Sequence, residues 1–324
     1  MTGSIDHDTF ERGLDLVRTG AADPVAGVFG PGSMTWRVDR EAALFLGAGR
    51  ALLLQLAHPH VAVSIAEHSR ALADPVGRFH RTFGAVFAMV FGTLEEALRA
   101  ARGLHKRHAL VMGTLPEAIG VYEAGSPYLA NHGEALAFVH ATLAESALVA
   151  HDLLLPPLTS EERERYWAES RLLAALFGVP AGELPATWAD FAAEANAKWR
   201  SDTLAVGPAA LRVSQALLNG PRPWLRAPGW YLALTAILLP PHLAEAYGLP
   251  TGEPARRSAE RALGRLRHIY PLLPARLRYV GPYHEATGRL AGRATPDHAT
   301  ALLNLLWIGR ARLGDRNART DSTA

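Results

Sequence analysis

His140 is the residue best placed to do chemistry, because it lies in a run of apolar neighbours, Leu136-Ala137-Phe138-Val139-His140-Ala141-Thr142-Leu143. At helical spacing, Leu136, Val139, Leu143 and Ala147 share its face. A neutral imidazole in such a setting can bind iron through one ring nitrogen. Its second nitrogen then needs a carbonyl or carboxylate partner. The competing use is structural: a core histidine paired with a carbonyl, the commoner fate of a lone buried His. Arg102, His105 and His108 recur every third residue in Arg102-Gly103-Leu104-His105-Lys106-Arg107-His108 and so line one helical stripe. Turned inward, that stripe could donate hydrogen bonds to iron-bound dioxygen or pair with propionates. Turned outward, it is a solvated basic face.

Two further clusters carry polar chemistry. Pro59 breaks a helix between His58 and His60, which point to different sides and make a poor shared metal site. Glu67 and His68 are adjacent, not at the i, i+3 spacing of a carboxylate-bridged di-iron bundle. Arg78 and Arg81, after Asp74-Pro75, stand about one turn apart and could meet an anion.

The elements that must position these residues are helices. The 324 residues are 49% apolar and 20% charged, rich in Ala, Leu, Arg and Glu and sparse in β-branched types. No stretch alternates long enough for a convincing strand. Helices are expected over Glu41–Leu56, Val61–Leu72, Pro75–Val90 and Leu94–Met112, from Asn131 or Gly133 to Leu154, and over Ser160–Gly178, Ala186–Thr203, Pro208–Leu218, Trp224–Leu239, Pro254–Tyr270 and Asp297–Leu313, with a short one at Pro274–Val280. Thr93 with Glu96 and Thr159 with Glu162 are capping boxes, and Asp74-Pro75 is an N-cap followed by Pro at the first helical position. The expectation is an all-α protein, a single large helical domain of about ten helices over residues 1–313, with a disordered tail over 314–324.

Composition excludes several functions. With no cysteine, disulfides, iron–sulfur clusters and thiolate-ligated haem are ruled out. Net charge is only +2 and no basic stripe is interleaved with aromatics, so nucleic acid is not an expected partner. The most apolar run, Trp230–Pro241, is too short to span a bilayer, and residues 1–18 lack an apolar signal core. A cytoplasmic location is expected. There is no Gly-x-Gly-x-x-Gly, P-loop, Gly-x-Ser-x-Gly or His-Glu-x-x-His signature.

Eight segments occur in a telling order. They are Gly30-Pro31-Gly32-Ser33, Leu54-Gln55-Leu56-Ala57-His58-Pro59, Glu67-His68-Ser69 and Asp74-Pro75-x-Gly77-Arg78, then His108-x-x-Val111-x-Gly113, Val139-His140-Ala141-Thr142-Leu143, Leu176-Phe177-Gly178-Val179-Pro180 and Leu238-Leu239-Pro240-Pro241. From about Gly30 to about Leu290 the chain resembles the catalytic domain shared by rubber oxygenases and MpaB-type oxygenases. The resemblance implies a globin-like helical core holding haem b, with His140 as the axial iron ligand. It implies that Arg102, His105 and His108 serve catalysis, and that Arg102, Arg107 and His58 stand with His140 in binding the cofactor. It further implies dioxygen and a small hydrophobic substrate as reactants. The alternative is a helical protein that binds haem or an apolar ligand without turnover.

Overall fold

In the computed structural model, which describes residues 3–220 and 226–315, one long helix organises the rest. This is α7 (Gly133–Leu154), where only Glu134 is exposed. A helix apolar on all sides must be central, since no face of it can profitably meet water. Its main partner is α3 (Phe45–Ala57), which is equally apolar and buries Leu53, Leu54 and Leu56 completely. The two approach closely at Gly47, where a Cβ would fall 2.5 Å from the carbonyl oxygen of Ser146.

Around this pair stand α1 (His7–Gly20), α2 (Met34–Asp39), α4 (Pro59–His68), α5 (Pro75–Phe91), α6 (Leu94–His108), α8 (Ser160–Phe177), α9 (Trp188–Trp199) and α10 (Pro208–Asn219). The shell is completed by α11 (Gly229–Leu238), α12 (Pro241–Ala246), α13 (Glu253–Ile269), α14 (Ala275–Arg278), α15 (Gly281–Leu290) and α16 (His298–Ile308). The class is all-α, as the composition requires. Two large apolar cores form. One lies between α3, α4, α7, α9 and α10, and the other between α1, α5, α6 and α8.

Local signals set the boundaries. Both capping boxes form, with Thr93 and Glu96, and Thr159 and Glu162, exchanging side-chain and backbone hydrogen bonds. Asp74 caps α5 by accepting from Gly77 N–H at 2.9 Å. Gly178 ends α8 in the left-handed conformation at φ 99°. Pro59 divides α3 from α4 as expected, with His58 as the hinge residue.

There are sixteen α-helices among the described residues, more than the ten or so expected. The additional ones, α1, α2, α12 and α15, are short or strongly polar outside, so their apolar periodicity is brief. The helix from Leu94 stops at His108, and Met112–Thr114 instead pairs antiparallel with Pro127–Leu129 as strands β1 and β2, Gly113 opposite Tyr128. Three-residue strands are too short for alternation to show. The last helix ends at Gly309 and not at Leu313, because Gly309 adopts φ 68°. Beyond Asp315 the expected disordered tail lies outside the described residues, as does Trp224, the expected start of the helix that here begins at Gly229.

Candidate functional site

His140 is completely enclosed, with no exposed surface. It points from α7 toward α8, flanked by Trp167 at 5.9 Å and Phe177 at 6.4 Å between ring centroids. Its Nε2–H donates to the Ser170 carbonyl at 2.8 Å and lies 2.9 Å from Ser170 Oγ. A carbonyl can only accept, so Nε2 carries the proton and the free lone pair is on Nδ1. Nδ1 is buried and has no hydrogen-bond partner. Burial pushes the imidazole pKa down to about 4, so the ring is neutral at physiological pH.

This is the donor chemistry of a metal-ligating imidazole: one nitrogen oriented by a backbone carbonyl, the other with an unused lone pair. Among the described residues no group of three or more His, Asp or Glu could hold a bare metal ion. Haem needs only one protein donor, and His140 fits that requirement. A planar group entering beside the ring must displace Trp167 or Phe177.

The α6 stripe divides. Arg102 faces outward, where Nε and Nη2 hold Glu11 at 2.8 and 2.6 Å. His105 stacks on Phe10 of α1, centroids 4.1 Å apart and planes within 4°. His105 and His108 line a cleft of about 270 Å³ together with Asp6, His7 and Asn131. Each leaves an enclosed Nδ1 without a partner. His108 is held down to about 4 by burial, then by Arg107 and His105. His140 does not line this cleft. His58 sits elsewhere again, Nε2 3.2 Å from the Tyr122 hydroxyl, with burial lowering its pKa to about 3. The structure therefore brings His105 and His108 together and places His140, His58 and Arg102 at three other points.

Sequence reading missed the partners on α8. Tyr166, Glu169 and Ser170 lie at i, i+3 and i+4 and so face one way. Ser170 holds His140. Glu169 accepts from the Met34 and Thr35 N–H groups at the start of α2, at 3.0 and 2.7 Å. Tyr166 hydrogen-bonds Asp39, whose pKa burial raises to about 7, with Glu169 adding to the rise. The i, i+3, i+4 spacing of these polar residues beside the buried Trp167 and Leu173 was the available signal.

Asp39 makes stability depend on pH in a definite direction. Its folded pKa exceeds its unfolded value, so the native state keeps a proton that the unfolded chain has released. That stability is fully present below the unfolded carboxyl range and fades as pH rises through about 7. Relative to Asp39→Asn, the native protein should lose about 1.4 kcal/mol per pH unit between pH 5 and 7. Urea unfolding of both proteins at several pH values measures this. A difference that stays constant with pH would mean Asp39 is ionised in the folded protein.

His140 is thus a buried, neutral histidine with one unused donor nitrogen, set in an all-helical shell. Residues 36–272 match the family model of the ER-bound oxygenase mpaB/B'/rubber oxygenase catalytic domain. The chain belongs to this oxygenase family. No curated protein and no solved structure matched the chain in the same comparisons. No helix among the described residues is long and apolar enough to cross a membrane.

Proposed function

We propose that this chain is a haem b-dependent oxygenase that holds iron through His140 and uses dioxygen on a small hydrophobic substrate. The observation that carries the reading is the unpartnered, enclosed Nδ1 of a neutral His140 whose other nitrogen is fixed by Ser170. When bound, haem supplies an iron centre able to take up and activate dioxygen. The chain's own residues do the rest. Ser170 fixes the imidazole tautomer through its backbone carbonyl. On α6, His105 stacks on Phe10, and Arg102 anchors the helix to α1 through Glu11.

A second reading is that the protein binds haem or another apolar ligand without turnover. Its apolar-ligand form, without haem, is favoured by the aromatic packing around His140 and by its carbonyl partner, both ordinary features of a structural histidine. Protein purified after expression with added haem precursor tests the two. The oxygenase reading expects about one haem per chain by its Soret absorbance, and dioxygen consumption that depends on an added alkene or terpenoid. Haem without substrate-dependent consumption supports the binder. A colourless protein that takes up no hemin on reconstitution rules out both haem readings.

A further inference from the structure

Helix α13 packs one face inward and turns a cationic face outward. Ala255, Ala259, Leu263 and Leu266 meet apolar side chains of α11 and the end of α7. On the other side Arg257, Arg261, Arg265 and His268 recur at i, i+4, i+8 and i+11, all exposed. At 1.5 Å per residue they span about 17 Å. Five arginines against two glutamates give α13 a charge of +3, where the whole chain carries +2. Both glutamates are engaged, Glu253 with Arg257 at 3.1 Å and Glu260 with Arg256 at 2.9 Å. Arg267 donates to the Leu153 carbonyl at 2.8 Å. Arg261 and Arg265 have no hydrogen-bond or ion-pair partner among the described residues.

Aliphatic side chains adjoin these free cations. Arg261, Gly264, Arg265, His268 and Ile269 line one open recess of about 450 Å³. His268 folds back onto its helix, Nδ1–H donating to the Gly264 carbonyl at 2.6 Å. A Cβ on Gly264 would meet nothing within 4 Å, so no packing contact calls for glycine there, and its bare backbone leaves the recess open. Ile269 is 54% exposed. The chain then tightens into a 3₁₀ turn at Tyr270–Leu272, a geometry in which residues i and i+3 eclipse. Leu272 therefore stands over Ile269, and it is 83% exposed. An acidic protein surface would neutralise the arginines but give these two aliphatic chains nothing apolar to enter. A nucleic acid would find no exposed aromatic ring on the stripe to stack a base. A bilayer surface bearing anionic lipid answers both features, with phosphates at the level of the guanidinium groups and an acyl boundary below them.

We propose that the outer face of α13 docks the protein on a membrane surface carrying anionic lipid. Arg261 and Arg265 meet the phosphate headgroups, and Leu272 inserts beneath them beside Ile269. The helix lies on the surface and does not cross it. The docking face is independent of the oxygenase reading, since no residue assigned to haem belongs to it.

Co-sedimentation of the full chain with vesicles tests this. Vesicles of phosphatidylcholine alone are compared with vesicles of equal parts phosphatidylcholine and phosphatidylglycerol. The chain should bind the mixed vesicles and not the neutral ones, and binding should fall as salt rises. Arg261→Gln combined with Arg265→Gln should weaken it about 25-fold, roughly 5-fold for each arginine at an anionic surface. Leu272→Ser should weaken it several-fold and leave its salt dependence unchanged. All three side chains are exposed, so these variants keep the fold, which thermal midpoints verify. Arg12→Gln with Arg312→Gln, two exposed charges elsewhere in the chain, should change binding little and serves as the net-charge control. Absence of binding to either vesicle, equal binding to both, equal loss in the control pair, or full binding by Leu272→Ser overturns the proposal. Polyglutamate bound as tightly as the mixed vesicles, by the native chain and by Leu272→Ser alike, would assign the face to an acidic protein partner instead.

Discussion

Replacing Arg50 by Met should cost about 3–5 kcal/mol of stability, the range for stranding one partner of a buried ion pair. Arg50 is 5% exposed and lies between α3, α7 and α11. Its Nη2 meets Glu145 at 2.7 Å, Nη1 donates to Ser146 Oγ at 2.8 Å, and Nε donates to the Leu238 carbonyl at 2.9 Å. All three acceptors lose their donor together. Glu145 keeps only the Trp199 indole N–H, at 2.5 Å, and remains a poorly compensated charge in an apolar interior. Removing both charges tells the cost of desolvation from the value of the pair. Arg50→Met with Glu145→Met should recover much of the lost stability, since an apolar pair of similar volume leaves no charge unanswered. Urea unfolding midpoints measure both variants. A loss below about 1 kcal/mol in Arg50→Met, the value of a surface pair, would place this network in contact with water.

The helical frame could be read from residues because its signals are local. The Thr93–Glu96 and Thr159–Glu162 boxes, Pro59 and Pro75 each act within one turn and formed where expected. Helices α1 and α15 escaped notice for the opposite reason. Apart from Phe10, Leu14 and Val17, α1 presents mostly polar residues, and α15 places Gly288 among its few buried positions. Each is helical chiefly because a neighbour covers a narrow stripe, and neighbours are not written in a short window.

The site divides along the same line. That His140 is buried among apolar side chains was visible, because its whole helix is apolar. That its ring turns to α8 was not, since residues 140 and 170 meet only through tertiary packing. The spacing of Arg102, His105 and His108 did predict a common stripe. It could not tell that Glu11 and Phe10, from a helix the sequence hid, would occupy two of the three.

His140→Ala should abolish stoichiometric haem, with reconstituted protein retaining less than about a tenth of the native content, as expected when an axial ligand rather than a supporting residue is lost. Two controls separate ligation from structure. Exogenous imidazole can refill the space of the missing ring and restore a donor nitrogen, so it should recover haem uptake in His140→Ala. It would not repair a collapsed core. Ser170→Ala removes the hydroxyl near Nε2 but keeps the backbone carbonyl at 2.8 Å, so the tautomer that frees Nδ1 survives and haem content should hold. A purely structural His140 predicts another pattern. Its ring packs on Trp167 and Phe177, and its loss would lower stability by about 2–4 kcal/mol, as for other large-to-small core changes, while haem stayed bound or was never taken up. Absorbance at the Soret maximum and iron analysis on native protein, His140→Ala with and without imidazole, and Ser170→Ala discriminate the two. Undiminished haem in His140→Ala would move the iron ligand to another side chain and leave Ser170 holding a structural histidine.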